Sequence, residues 1–167
     1  TSAANVTTGV VITNLTGPVD YGYRTYTILA ETGYDLGAMA PAVPVTTPLP
    51  DEVTVGTANI LRFFDDVNDP SISDPVLTTT AFQNRLTKAS RVIREMMKMP
   101  DIIGFQEVEN LATLQSLAAK VNADAVAAGG SDPLYVAYLE EGNDVGGIDV
   151  GFLVKSSRVT VDSVTQY

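Results

Sequence analysis

The chain has 167 residues, 45% of them apolar, and a formal charge of −10, which describes an acidic globular protein of one domain or of one domain with an appended piece. It contains neither cysteine nor histidine, so disulfides, thiolate metal sites, Ser-His-Asp triads and histidine ligands are excluded. No apolar run reaches the roughly 20 residues of a membrane-spanning helix. Any chemistry of this chain therefore depends on oxygen ligands.

The first forty residues predict a short β segment. Two strand-like runs, TTGVVITNL and YRTYTILAE, are separated by the turn signal TGPVDYGY. The run PAVPVTTPLP that follows has four prolines in ten residues, which favours an extended linker over a helix. We therefore predict a β segment over residues 1–40, a linker over 41–52 and the main domain over 53–167.

The main domain shows a clearer order of strands and helices. The predicted elements are the strand VTVGTANIL, the polar loop DDVNDPSISDP, a helix over residues 80–98, the short buried strand DIIGF, the helix NLATLQSLAAKVN, and the strands LYVAYL, IDVGFLV and RVTVDSV, the last two joined by KSSR. Asn110 is the predicted N-cap of the second helix. The apolar stripe of this helix consists of Leu111, Leu114, Leu117, Ala118 and Val121.

Half of the ten basic residues fall within one predicted helix, namely Arg85, Lys88, Arg91, Arg94 and Lys98. From Lys88 to Lys98 they lie mostly opposite the apolar face, which favours a solvated surface, with a phosphate-binding stripe as the alternative. Arg85 lies instead inside the apolar arc. Because burying an unpaired guanidinium is costly, we expect Arg85 to be at least half buried and paired with a carboxylate near the sheet.

Polar residues follow two strands of the predicted sheet. A strand, a helix and a second strand imply a right-handed parallel crossover, which brings the carboxyl ends of both strands to one edge. Asn59 closes the first strand, and Gln106 and Glu107 follow the second. We therefore expect the side-chain oxygens of Asn59 and Glu107 to lie within about 4–6 Å, close enough to share one Mg²⁺. The alternative is two unrelated strand ends whose side chains point apart.

Three motifs occur in the order TANILRFFD, DIIGFQEVEN and IDVGFLVKSSRV, and together they resemble the endonuclease/exonuclease/phosphatase family. The resemblance covers residues 53–164 and is strongest to large secreted bacterial nucleases, in which an aromatic-Asp pair such as Phe64-Asp65 follows the first strand. The segment LTGPVDYGYRTYTILAE resembles the tail of the small β-domain that precedes the nuclease domain in those proteins. The implied fold is α/β: the N-terminal half of a two-sheet sandwich, a mixed sheet with helices on one face, preceded by a short β segment.

The resemblance also implies roles for individual residues. Glu107 corresponds to the principal metal-binding glutamate of the family, and Asn59 to the asparagine that helps to position metal, phosphate or water. The implied cofactor is Mg²⁺, or Mn²⁺ or Ca²⁺, and the implied substrate is nucleic acid or another phosphodiester. Glu109 has no such role and is expected in solvent or at the start of a helix. Asp149 is expected to be a strand-edge aspartate.

The resemblance also implies catalytic groups on later strands, an Asp-x-Asn motif and a terminal Asp-His pair, and none of these follows the third motif in the sequence. We therefore expect this chain, which begins at Thr1 as a processed or cut form, to be inactive by itself, to leave its metal position unfilled and to self-associate through an exposed sheet face. The full-length protein would be a secreted or periplasmic bacterial endonuclease. The alternatives are a phosphatase or sphingomyelinase of the same family, or a non-catalytic binding or structural module.

Overall fold

The computed structural model describes residues 6, 9–38, 41–70, 72 and 74–166. The chain forms two compact units, Thr1–Val43 and Pro44–Tyr167. The boundary between the units lies within the proline-rich segment from which the sequence predicts a linker.

The first unit contains two small antiparallel sheets. The strands are β1 (Ile12–Thr13) paired with β4 (Asp35–Leu36), and β2 (Val19–Gly22) paired with β3 (Thr25–Ile28). The predicted turn TGPVDYGY is wrong in part, because its second half forms β2. The turn itself is the pair Tyr23-Arg24, whose φ angles of 51° and 63° are those that a two-residue hairpin loop requires. Thr7 and Thr8, at the start of the first predicted strand, lie outside the described residues.

The second unit contains a mixed four-stranded sheet and two α-helices. The strands are β5 (Val55–Phe63), β6 (Ile102–Val108), β7 (Tyr135–Leu139) and β8 (Asp149–Lys155), and the helices are α1 (Thr79–Arg91) and α2 (Leu111–Ala127). The strand order is β5-β6-β8-β7, in which β5 and β6 are parallel and the other two pairs are antiparallel. The predicted α/β class with a mixed sheet and the parallel pairing across the first helix are both confirmed.

Both helices cover the same face of this sheet. Side chains alternate between the two faces of a strand, and Ile103, Phe105 and Leu153 point toward the helices and are fully or almost fully buried. On α2 the predicted stripe is buried, apart from a partly buried Leu111. The Asn110 side chain accepts a hydrogen bond of 2.8 Å from the amide of Thr113, which confirms it as the N-cap.

The helix predicted over residues 80–98 does not continue to its expected end. After Arg91 the chain forms one π-helical turn, Val92–Met96, in which the Met97 amide donates to the Val92 carbonyl at 3.0 Å. Lys98 and Met99 then adopt positive φ, so the chain reverses before Pro100. Within the described residues, no helix has both the length and the apolar character needed to cross a membrane.

The strand predicted at RVTVDSV is wrong. KSSR does form a turn, with the Arg158 amide donating to the Lys155 carbonyl at 3.0 Å, but residues 159–166 have no strand partner among the described residues. The physical reason is that β8 already pairs with β6 on one side and with β7 on the other. The segment instead lies against part of the sheet face opposite the helices, where it lines a pocket with Ile102, Tyr138 and Phe152.

The sheet face opposite the helices carries many exposed apolar side chains. We call it the open face, and its residues are Val55, Thr57, Asn59, Leu61, Ile102, Gln106, Val136, Tyr138, Val150 and Phe152, assigned by alternation along each strand. The exposed fractions of Val55 and Leu61 are 73% and 69%, and that of Phe152 is 39%. Asn59 therefore lies on an uncovered surface of the second unit.

Candidate functional site

A distortion of both strands brings Glu107 to Asn59. The β5–β6 register aligns Asn59 with Gln106, and regular alternation would turn Glu107 toward the helices together with Phe105. The register shifts at this point, and Glu107 has a φ of 63°. A left-handed residue in a β-bulge redirects its side chain, so Glu107 faces Asn59 on the open face. A buried apolar strand therefore ends in an accessible carboxylate because its last residues leave the regular strand conformation.

The carboxylate of Glu107 is held by two donors from β5. Its Oε1 atom accepts a hydrogen bond of 2.7 Å from Asn59 Nδ2, and its Oε2 atom accepts one of 2.9 Å from the amide of Arg62. The expectation that Asn59 and Glu107 meet is confirmed. The orientation differs from a shared ligand pair, however, because Asn59 Oδ1 accepts from the Leu61 amide at 2.8 Å. Asn59 thus presents its nitrogen to Glu107 and acts as a support for the carboxylate.

The segment of β5 that donates to Glu107 has an unusual backbone. Leu61 and Arg62 have φ angles of 54° and 48°, a conformation that is costly for residues with a Cβ atom, by about 1–2 kcal/mol each. In the described sheet, residues 60–62 have no partner on β6, since the register passes directly from Asn59 to Phe63. We call residues 60–62 the β5 bulge. Strained backbone of this kind is found preferentially at functional sites, where the surrounding structure holds it in place.

Arg85 contacts the β5 bulge and has no carboxylate partner among the described residues. The residue is partly buried, as predicted, and the Cζ atom of its guanidinium lies 5.6 Å from the centre of the Phe63 ring. Its Nη1 atom donates to the Arg62 carbonyl at 2.7 Å, and its Nη2 atom donates to the Leu61 carbonyl at 2.6 Å. The predicted carboxylate partner is therefore wrong. The bulge removes these two carbonyls from the β ladder, and they take the place of an acidic partner.

Glu107 opens onto an acidic pocket of about 500 Å³. The pocket lies between the end of β6, the loop before β8 and the C-terminal segment, and its acidic residues are Glu107, Glu140, Asp144 and Asp149. Asp149 is the first residue of β8 and its Oδ1 atom accepts from the Gly142 amide at 2.8 Å. Its expected position at a strand edge is confirmed, and its hydrogen bond fixes the loop that forms one wall of the pocket.

Glu109 lies at the start of α2, directly before the N-cap Asn110, which agrees with one of its two expected positions. The other expectation, a place in solvent, is wrong, because only 2% of its surface is exposed. Its Oε2 atom accepts from the Asp65 amide at 2.7 Å and from Thr113 Oγ1 at 3.1 Å, and its carboxyl group also interacts with the side chain of Asp74. Burial raises the pKa of Glu109 to about 7 against the lowering effect of the Asp65 amide, and the nearby carboxylates of Asp65 and Asp74 add to the rise.

The contact between Glu109 and Asp65 joins the candidate site to the loop after β5. Asp65 is 8% exposed, and its Oδ2 atom lies 3.0 Å from Thr113 Oγ1, whose single hydrogen is shared between Asp65 and Glu109. The neighbouring Phe64 is 2% exposed. The sequence did contain a signal for this arrangement, since the aromatic-Asp pair stands out after the strand, but nothing in its spacing indicated that Asp65 would meet Glu109.

The carboxylate of Glu107 fits a metal site only as one ligand among several. Among the described residues, no group of three or more acidic side chains is arranged to hold a metal ion. Each Glu107 oxygen accepts one hydrogen bond and keeps a lone pair, which suits Mg²⁺, an ion bound in proteins through one or two carboxylates, waters and substrate phosphates. The chain has no match among known protein families, curated proteins or solved structures. The resemblance noted in the sequence therefore stays a prediction.

Proposed function

We propose that this chain supplies the metal-binding carboxylate of a divalent-metal-dependent phosphoesterase, and that the favoured activity is endonucleolytic hydrolysis of phosphodiester bonds. The observation that carries the proposal is the placement of Glu107, which is turned out of the sheet interior and oriented by Asn59 and the Arg62 amide at the mouth of an open pocket. Strained backbone is found preferentially at functional sites, which favours a functional role for Glu107 over a purely structural one.

The geometry defines what these residues contribute to such a reaction. The two donors fix the carboxylate plane of Glu107, so its free lone pairs point in set directions. A Mg²⁺ or Mn²⁺ ion bound there supplies charge stabilisation as water attacks a phosphodiester. Asn59 holds the carboxylate of Glu107 in its orientation through the hydrogen bond to Oε1. The chain contains no histidine, so orientation of the water and protonation of the leaving oxygen require other groups than an imidazole.

The same proposal covers the partners of the chain. The substrate is a nucleic acid or another phosphodiester, and the acidic surface requires a cation to bring phosphate to the pocket. Secretion or periplasmic location is part of the proposal through the resemblance to secreted nucleases. The open face, with several large apolar side chains exposed, favours association of a second copy of the chain.

The protein encoded by the complete reading frame provides the test. We expect Mg²⁺-dependent nicking of plasmid DNA that EDTA abolishes, that Glu107→Gln eliminates and that Glu95→Gln, a control on an exposed ion pair, leaves unchanged. Hydrolysis of sphingomyelin or of a phosphomonoester in place of DNA would select the phosphatase or sphingomyelinase alternative. Absence of any EDTA-sensitive hydrolysis would favour a non-catalytic module and refute the proposal.

The 167-residue chain, assayed in parallel, is expected to be inactive. Its expected inactivity follows from the absence of the later catalytic groups that the resemblance implies, and not from loss of Glu107. EDTA-sensitive cleavage by the purified chain, abolished in Glu107→Gln, would show that the catalytic groups are already present and that this part of the proposal is wrong.

A further inference from the structure

The β5 bulge presents two backbone carbonyls to a single side chain. In a regular strand, successive carbonyls point in opposite directions and bond to neighbouring strands. Two consecutive left-handed residues, Leu61 and Arg62, instead turn their carbonyls to the same side. The two terminal nitrogens of Arg85 donate to these carbonyls at 2.6 and 2.7 Å. The fixed fork of a guanidinium matches two parallel acceptors, a geometry that a lysine ammonium cannot reproduce.

The bulge that Arg85 holds is also the support of Glu107. The Arg62 amide donates to Glu107 Oε2, and the Leu61 amide donates to Asn59 Oδ1, which orients the amide group that reaches Glu107 Oε1. Both hydrogen bonds to the carboxylate thus depend on the conformation of residues 61 and 62. Without a partner for their carbonyls, these residues gain stability by returning to extended backbone, which turns the Arg62 amide away from Glu107.

We propose that Arg85 is a positioning residue for Glu107: its bidentate hydrogen bonds hold the β5 bulge in the conformation that fixes the metal-binding carboxylate. We call the two hydrogen bonds from Arg85 to the β5 bulge the Arg85 clamp. Its effect on metal binding rests on the proposed function of Glu107, but the clamp itself is present in the chain without metal. The contacts of Arg85 are with the β5 bulge and the Phe63 ring. Its effect passes through the backbone of Leu61 and Arg62, which have no sheet partner among the described residues.

The test compares Arg85→Lys with Lys88→Arg, a charge-conserving exchange at an exposed position three residues along α1. In Arg85→Lys we expect the Arg62 amide to exchange its hydrogen about tenfold faster, as loss of a charge-assisted hydrogen bond to the bulge implies. We also expect Mn²⁺ affinity at Glu107, read from paramagnetic broadening of the Glu107 and Asn59 signals, to fall about fivefold or more. Lys88→Arg is expected to match the wild type in both measurements.

The possible outcomes separate the clamp from the metal site. Unchanged Arg62 exchange and unchanged Mn²⁺ affinity in Arg85→Lys would overturn the inference. Faster exchange spread evenly to core amides such as Phe105 would also overturn it, because Arg85 would then support general stability. If the wild-type chain shows no Mn²⁺ broadening at Glu107, the proposed function fails, whereas local loss of Arg62 protection in Arg85→Lys and in Arg85→Gln still establishes the clamp.

Discussion

Replacing Asn59 by aspartate changes the charge of the site while nearly preserving its shape. One oxygen of the new side chain can still accept the hydrogen bond from the Leu61 amide that Asn59 Oδ1 accepts at 2.8 Å. The atom that donates to Glu107 Oε1 at 2.7 Å becomes a second carboxylate oxygen. Asn59→Asp therefore turns a donor–acceptor contact into a contact between like charges, without creating a cavity or a steric clash.

The expected loss of stability follows from that distance. Two unit charges about 3 Å apart repel each other by about 1.5–3 kcal/mol at an effective dielectric constant of about 40–80, which suits an exposed side chain. We therefore expect the free energy of unfolding at pH 7 to fall by about 2 kcal/mol. In the folded variant, this repulsion opposes the simultaneous ionisation of the introduced carboxyl group and its neighbour. Destabilisation is thus absent below the unfolded pKa of about 4 and develops as the pH rises through the folded pKa.

Urea unfolding of Asn59→Asp with and without MgCl₂ provides the assay. Because a divalent cation neutralises both carboxylates, we expect Mg²⁺ to restore most of the lost stability in the variant and to affect the wild type much less. Asn84→Asp, on an exposed position of α1, adds the same charge away from the site and serves as the control. Equal destabilisation in both variants, or no effect of Mg²⁺ on Asn59→Asp, would refute the reasoning.

Three further predictions concern the surroundings of the site and use urea or thermal unfolding. Burial raises the pKa of Glu109 to about 7, so the free energy of unfolding of the wild type is expected to fall as the pH rises from about 4.5 through 7. Glu109→Gln is expected to remove this loss, and parallel pH profiles of wild type and variant would contradict the prediction. Burial acts against ionisation of Asp101, but the Thr54 amide and two cations at 3.5 and 3.4 Å lower its pKa overall. Asp101→Asn is therefore expected to lose about 1–3 kcal/mol at pH 7 and progressively less as the pH falls below about 4, and an unchanged pH profile would argue against this. In Gly151→Ala the new methyl group would lie 2.5 Å from a Leu114 methyl, so we expect the free energy of unfolding to fall by about 1–3 kcal/mol. In Gly104→Ala the nearest atom is 3.5 Å away, so a smaller loss is expected, and equal losses in the two variants would count against this packing.

The sequence predicted the meeting of Asn59 and Glu107 because that meeting follows from topology. Helical periodicity between two apolar runs indicates a crossover, and a parallel crossover brings both strand ends to one edge. The structure confirms the parallel pair and a direct contact of 2.7 Å. The strand ends were placed too early, since β5 continues to Phe63 and β6 to Val108. The sequence predicts these boundaries poorly because polar residues inside a strand have the same pattern as the start of a loop.

The β5 bulge could not be predicted from the sequence. Left-handed backbone is normally signalled by glycine or asparagine, whereas here it occurs at Leu61, Arg62 and Glu107. The conformation is imposed by tertiary contacts, chiefly the fork of Arg85 and the acceptor groups of Asn59 and Glu107. Helical position correctly indicated that Arg85 would be partly buried, but its partners depend on a backbone distortion that periodicity does not encode.

Glu109 shows a second limit of pattern-based prediction. A glutamate immediately before a helix N-cap normally lies in solvent, near the positive end of the helix dipole. In this chain the loop after β5 closes over it, and the Asp65 amide and the Thr113 hydroxyl satisfy one of its oxygens. The contact joins residues 44 positions apart, so only the folded loop reveals that this carboxylate belongs to the interior.

Binding of Mn²⁺ to the 167-residue chain, followed by paramagnetic broadening of backbone amide signals, tests most directly whether Glu107 is a metal ligand. Because Glu107 is one ligand of a wider set, we expect weak binding: broadening appears only at high Mn²⁺ concentration, centres on residues 59, 62 and 107, disappears in Glu107→Gln and persists in Glu95→Gln. Broadening centred elsewhere, or unchanged in Glu107→Gln, would contradict the assignment of Glu107 as the metal-binding carboxylate.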